Sequence, residues 1–321
     1  PLAAGAHRAP RPCPARRRGS QPAPRAPPAM AAAMQLVAFF TLVAVQSTAI
    51  LLFRLAQRQG SYSFSPASSV ACTEFVKLAI AGVSHALHAR RTGEPFFANL
   101  PLPVVANYFG LAALYTTNNV LTFYVLKLTD PGTLSLFKSV APYLCAFLLR
   151  LTGQRLNRLQ WCCVVIQCCA IAIVQYDVTK GAALVSPAGY ALLVSATTIT
   201  ASSSVWNQLV LKGYTVPLNL QNSVLYGFGL LMSLGAYLFG PRSEAKGFFE
   251  GYTPLAWLLV LSQALHGIAV SFVYKHADAI VKNFANSSVM VVLVVASSLW
   301  FGLAMNAHAA LAVVIVVVTT Y

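Results

Sequence analysis

The sequence predicts an all-α membrane protein with about ten transmembrane helices, and three observations carry that prediction. Charged residues are only 9% of the chain, against about 25% in soluble domains. Hydrophobic residues reach 57% of the 321 and mean hydropathy is +0.66, more apolar surface than a soluble fold of this size can bury. From residue 34 onward, apolar runs of membrane-crossing length, roughly 20 residues, recur with short connectors. Together these exclude an ordinary soluble enzyme, a disordered chain and a collagen-like fibre. The runs are too long and too continuously apolar for barrel strands, which alternate, so helices must satisfy the backbone in lipid.

The runs fall near 34–53, 66–87, 101–124, 131–150, 158–176, 186–211, 218–239, 254–274, 279–302 and 305–321. Before them, residues 1–29 hold six arginines, eight prolines and no acid, a composition without a core that reads as a disordered basic arm. The arm accounts for much of the net charge of +15; the remainder is sixteen basic against seven acidic residues. Because the basic run stops where the apolar spans begin, nucleic acid is not the expected partner. The chain opens on Pro1, with Met30 or Met34 as the expected start, and its last run stops at Tyr321 with no polar tail, so a truncated C-terminus is expected.

Lys and Arg in the connectors orient the spans. With a cytosolic N-terminus, eight basic positions, among them Arg90, Arg91, Arg150 and Lys212, face the cytosol and six face the opposite side, a weak bias for both ends cytosolic. A faint repeat relates Lys127-x-x-Asp130 before span four to Lys275-x-x-Asp278 before span nine. Five spans per half make the halves inverted, with a site between them. The expected halves are 34–180 and 181–321.

Charge at membrane depth is costly and marks candidate function. Glu74 and Lys77 stand three apart in span two and share a helix face, so they can pair. Lys138 has no acid within one turn on its own span, and Pro142 four residues on leaves the Lys138 carbonyl unbonded, which kinks span four there. Lys275, Asp278 and Lys282 bracket the junction of spans eight and nine; an ammonium there suits phosphate, and Asp278 reads as an N-cap. Uncharged polar residues cluster at depth as Tyr115 to Asn119, Trp206 to Gln208, Gln221, Asn222, Tyr226, Gln263 and His266. They suit a base and sugar hydroxyls, and equally hold membrane helices together. The four cysteines of WCCVVIQCCAIAIV lack zinc-site spacing and read as small residues of a membrane helix. No catalytic or cofactor motif appears, so no enzyme, metal or cofactor is expected.

Four stretches carry a family resemblance: Thr73-Glu74-Phe75-Val76-Lys77-Leu78; Asn118-Asn119 with Asp130-Pro131; LNRLQWCCVVIQCCAIAIVQY from Leu156; and KGFFEGYTPLAWLLVLSQALHGIAVSFVYKHADAIVKNFANSS from Lys246. From about residue 36 to 321 the chain resembles the nucleotide-sugar transporters of the CMP-sialic acid and UDP-galactose branch, within the drug/metabolite transporter superfamily. The resemblance implies a multi-pass Golgi or ER protein that exchanges a nucleotide sugar for a nucleoside monophosphate. It implies that Lys138 and Lys275 serve the substrate phosphates, and that Glu74, Lys77, Asn118, Asn119, Asn222 and Tyr226 complete the binding site. A homo-oligomer or a glycosyltransferase complex is the further partner to consider. Two other readings stay open: a carrier of another phosphorylated metabolite, and a non-transporting membrane scaffold for glycosyltransferases. In one departure from the family pattern, DPGTLSLFK is short by about three residues, which turns Lys138 by roughly 60° unless the helix start adjusts.

Overall fold

A computed structural model describes residues 28–58, 61–93, 100–138, 140–151, 185–214, 216–240 and 247–276, with isolated positions and two short strands between 158 and 183 and isolated positions from 285 onward. In chain order the elements are α1 (Pro28–Leu55), β1 (Gln57–Arg58), β2 (Ser61–Tyr62), α2 (Pro66–Thr92), α3 (Leu102–Leu128), α4 (Pro131–Lys138), α5 (Ala141–Leu151), β3 (Tyr176–Asp177), β4 (Ala182–Ala183), α6 (Pro187–Gly213), α7 (Leu218–Phe239) and α8 (Pro254–His276). The strands form two antiparallel two-residue ladders, β1 with β2 and β3 with β4.

Four of these helices contain stretches long and apolar enough to cross a membrane: Leu36–Leu55, Pro66–Thr92, Leu218–Phe239 and Pro254–Val273. Helices α3 and α6 are equally long at 27 residues each, but Tyr115–Asn119 in one and the Thr197–Ser204 stretch in the other thin their apolar content. The runs expected at 279–302 and 305–321, and most of 158–176, lie outside the described residues, as does the arm through residue 27.

Helix starts are written in the sequence as a capping residue followed by proline. Ser65-Pro66 opens α2, Asp130-Pro131 opens α4, Ser186-Pro187 opens α6 and Thr253-Pro254 opens α8. The cap supplies an acceptor for an orphan N–H, and proline at the first helical position gives up only a donor that has no partner there. Accordingly the Thr133 amide donates to Asp130 Oδ1 at 3.0 Å, Gly189 to Ser186 Oγ at 3.2 Å and Ala256 to Thr253 Oγ1 at 3.3 Å. Asp130, the first-half counterpart of Asp278 in the faint repeat, is thus a cap; Asp278 itself lies outside the described residues.

Span four, read from sequence as one run from 131 to 150, is broken in two between α4 and α5. Around the break, Val140 N donates to the Phe137 carbonyl at 3.1 Å, a three-residue closure, and the Val140 carbonyl accepts from both Tyr143 N at 3.0 Å and Leu144 N at 3.2 Å as the four-residue ladder resumes. Proline at 142 has no N–H to give Lys138, which explains the position of the break.

Helix α2 packs along α7, α1 along α8, and α3 between α6 and α7, while α4 and α5 lie on α6. Two apolar clusters bracket the middle of the bundle. One joins Phe53, Phe64, Val70, Phe123, Leu126, Leu134, Leu193 and Leu259 where α1 and α3 end and α2, α4, α6 and α8 begin. Phe53 and Tyr62 meet Phe123 edge-on at 4.6 and 4.9 Å between ring centroids, and Phe64 lies tilted against Tyr252 at 5.4 Å. Ser63 Oγ donates to the Gly251 carbonyl at 2.7 Å, and the hydroxyls of Ser68 and Tyr252 share a hydrogen bond at 3.0 Å. Burial pushes the Tyr252 phenol well above its ordinary pKa, with Ser68 pulling back. Gly251 has φ +76°, and a Cβ there would meet the Ser63 carbonyl oxygen at 1.8 Å, so only glycine allows this approach. The second cluster, with Tyr108, Leu111, Val210 and Leu225, ties α2, α3, α6 and α7 together farther along the bundle.

Candidate substrate cavity

Between the two clusters lies a cavity of about 190 Å³ that opens at a mouth and takes residues from α1, α2, α3, α4, α6, α7 and α8. Phe53, Val70 and Phe123 belong to both the first cluster and the lining, so that cluster forms the floor.

The helical period explains who faces inward. On α2, Ser69, Thr73, Glu74 and Lys77 fall on one face; on α3, Tyr115, Asn118, Asn119 and Thr122 do the same. The polar band at 115–119, which interrupts the apolar run in sequence, does not interrupt the helix: α3 runs unbroken through it and turns most of it into the cavity. Thr117 of that band is exposed instead.

Glu74 and Lys77 form the pair their spacing allows. Lys77 Nζ lies 2.5 Å from Glu74 Oε1, and both side chains are buried. Asn119 Nδ2 donates to the same carboxylate oxygen at 3.4 Å. The Lys77 ammonium also lies 4.5 Å from the centroid of the Tyr226 ring, a cation–π contact supported by desolvation. The Tyr226 hydroxyl meets Ser271 Oγ at 3.1 Å, and Ser271 donates to Asn222 Oδ1 at 3.3 Å, so α2, α7 and α8 share one polar network. Helix α8 comes this close because residue 267 is glycine: a Cβ there would lie 2.6 Å from Lys77 Cδ.

Seven of the eight residues singled out from sequence therefore line one cavity: Glu74, Lys77, Asn118, Asn119, Lys138, Asn222 and Tyr226. Lys138 is among them despite the shortened DPGTLSLFK. The Asp130 cap and Pro131 fix the start of α4, and the break after residue 138 ends it with Lys138 on the lining. The eighth, Lys275, lies in the last turn of α8, its side chain outside the described residues, and Lys282 lies outside them altogether.

Other polar candidates divide. Asn207, Gln263 and His266 line the cavity. Trp206 and Gln221 hold helices together: the indole N–H donates to Asn107 Oδ1 at 2.8 Å, and Gln221 accepts from the Tyr108 hydroxyl while donating to the Val216 carbonyl at 2.7 Å. Sequence reasoning missed Thr200, Ser203 and Ser204 of α6 and Gln46 of α1, all on the lining. The i, i+3, i+4, i+7 spacing of Thr200, Ser203, Ser204 and Asn207 puts them on one helix face, but spacing alone does not say which way that face turns.

Comparison with known proteins places this geometry. The model of the family described as nucleotide-sugar transporter matches residues 30–321. Over 302 residues the chain is 31% identical to the human protein named "Probable UDP-sugar transporter protein SLC35A4", covering 86% of this chain and 91% of that one. The Danio rerio protein of the same name is 30% identical over 263 residues, 80% and 82% of the two chains. CMP-sialic acid transporter 2 of Oryza sativa subsp. japonica is 25% identical over 295 residues, 90% and 83%. A protein solved by crystallography shares the fold with a TM-score of 0.57 at 18% identity, over 87% of this chain and 96% of that one.

Proposed function

We propose, since the chain belongs to the nucleotide-sugar transporter family, that it carries a pyrimidine nucleotide sugar across the Golgi membrane in exchange for a nucleoside monophosphate. It is a multi-pass membrane protein and a transporter, not an enzyme. The observation that carries the proposal is the cavity itself: two lysines and a glutamate, amides, phenols and hydroxyls from seven helices converge on one space enclosed by apolar side chains. Transport requires such a site between elements that can rearrange around it.

In this reading Lys138 holds the substrate phosphate from α4, and Lys275 approaches from the end of α8. Ammonium–phosphate contacts are charge-assisted and among the stronger hydrogen bonds. Asn118, Asn119, Asn222 and Tyr226 take the base and ribose, and the Glu74–Lys77 pair fixes the wall they stand on. Ten spans in two inverted halves, 34–180 and 181–321, with both ends in the cytosol, would let the halves rock about this site.

Purified protein in liposomes preloaded with CMP or UMP tests exchange. Uptake of labelled nucleotide sugar should be faster than into empty liposomes; equal rates for every pyrimidine pair would reject exchange.

A further inference from the structure

The connector between α7 and α8 carries an aromatic patch that the cavity does not use. Tyr237 of α7 meets Phe248 edge-on at 4.9 Å between ring centroids, and Phe248 meets Phe249 at 4.7 Å. Phe249 then stacks on the Trp257 ring of α8 at 5.9 Å, 29° from parallel. None of these four side chains lines the cavity. Tyr252 stands behind them, 5.7 Å from Phe249 and 5.0 Å from Trp257, with Phe64 of the floor on its other side.

Rings packed together in a soluble protein would hide one another. Here Phe249 is 59% exposed and Trp257 44%, and Leu238 and Phe239 at the end of α7 are exposed beside them. A patch of that kind marks an interaction surface. It is continuous with faces whose surroundings are lipid: Leu258, Leu261 and Leu265 carry the exposed stripe down α8 from Trp257, and Leu231 leads up α7 to Leu238. Both helices hold membrane-crossing stretches, Leu218–Phe239 and Pro254–Val273, and the rings stand at the ends of those stretches, where hydrocarbon gives way to headgroups.

Polar atoms fix the depth. Among the described residues nothing accepts from the Trp257 indole N–H or bonds the Tyr237 hydroxyl, whereas the inner rings are satisfied: the Trp206 indole donates to Asn107 and the Tyr252 hydroxyl is shared with Ser68. An indole or phenol of that kind keeps its ring among acyl chains and turns its N–H or O–H to ester and phosphate oxygens. Glu250, exposed next to Phe249, cannot lie in hydrocarbon and marks the headgroup side. The connector's backbone is closed on itself as a water-poor layer requires: Glu250 N donates to the Gly247 carbonyl at 3.1 Å and Tyr252 N to the Phe249 carbonyl at 3.3 Å.

We propose that the α7–α8 connector is an interfacial anchor, with Phe248, Phe249 and Trp257 seated among the ester and headgroup atoms of phospholipid rather than in water or against a second protein. Because Tyr252 joins this patch to Phe64, the anchor also places the cavity floor at the membrane boundary. The inference does not depend on what the cavity carries.

The test reads depth by fluorescence quenching of the full chain in phosphatidylcholine liposomes. The chain has 4 tryptophans, so the emission lost between the parent and Trp257→Phe isolates Trp257. Phe249→Trp in the Trp257→Phe chain puts a second reporter on the connector itself; if that chain does not fold, the Trp257 difference decides alone. Three quenchers are compared: lipid brominated near the ester end of its acyl chains, lipid brominated near the methyl end, and iodide in the water. Both reporters should be quenched about twofold more by bromine near the esters than near the methyl ends, with iodide weaker than either. Stronger quenching from the methyl end overturns the anchor, because the rings then lie in hydrocarbon. Iodide as the strongest quencher overturns it in favour of an aqueous loop. Protection from all three overturns it in favour of a protein cover, such as a second copy of the chain.

Discussion

The ammonium of Lys77 on α2 sits 4.5 Å from the ring centroid of Tyr226 on α7, with Glu74 on its other side. A cation held between a carboxylate and an aromatic face is neutralised without being hydrated. That is how one lysine can be 7% exposed at the centre of an apolar bundle.

Removing one member of that arrangement should be worse than removing both charges. Lys77→Ala leaves Glu74 buried and unpaired, a loss of about 3–5 kcal/mol. The double change Glu74→Gln/Lys77→Met removes both charges at similar volume and should cost far less. Heat unfolding in detergent should place the single variant well below the double one; the reverse order would show that the pair is not held as a buried ion pair.

Tyr226 should separate ring from hydroxyl. Tyr226→Phe keeps the face under Lys77 and loses the bond to Ser271, a change of about 1 kcal/mol. Tyr226→Leu loses both and should cost roughly 1–2 kcal/mol more. Equal unfolding temperatures for the two variants would remove the cation–π contact from the account.

Lys138→Ala and Lys275→Ala should each abolish exchange while leaving expression and membrane insertion intact. Arginine at either position should rescue only in part, since a planar fork does not replace a compact ammonium. Monophosphate binding decides the role: if Lys138→Ala binds CMP and UMP as the parent does, Lys138 is not the phosphate ligand.

At the floor of the cavity, Gly251→Ala should be far more damaging than Ser63→Ala. The first adds about 1–3 kcal/mol of backbone strain at φ +76° and drives a methyl into the Ser63 carbonyl. The second removes one hydroxyl bond of 2.7 Å and should cost about 1 kcal/mol. Unfolding temperatures of the two variants check the order.

What could be read from sequence followed from local rules. The apolar runs became α1, α2, α7 and α8, because lipid-facing helices need little beyond length and hydropathy. Glu74 and Lys77 were legible as a pair because i and i+3 share a face, and the break near Lys138 because Pro142 cannot donate. Two things were not legible for one reason: they depend on which helix faces which. Thr200, Ser203 and Ser204 are small residues in a run of small residues, and only the packing of α6 against α3 and α4 shows that their face turns inward. The aromatic cluster joins Phe53, Tyr62, Phe64, Phe123 and Tyr252 from four separate segments, and no spacing in the chain connects them.

That cluster also has a kinetic meaning. If the cavity holds cargo as proposed, an exit through the floor would have to part rings that bury one another and release the Ser63–Gly251 and Ser68–Tyr252 bonds. Those side chains, unlike Phe53 and Phe123 beside them, do not line the cavity, so their strength would bear on how often such a passage opens rather than on direct contact with cargo. Turnover and selectivity would then be adjustable at different places: substitutions among Tyr62, Phe64 and Tyr252 should act mainly on the rate of transport, and substitutions on the cavity walls mainly on what is carried.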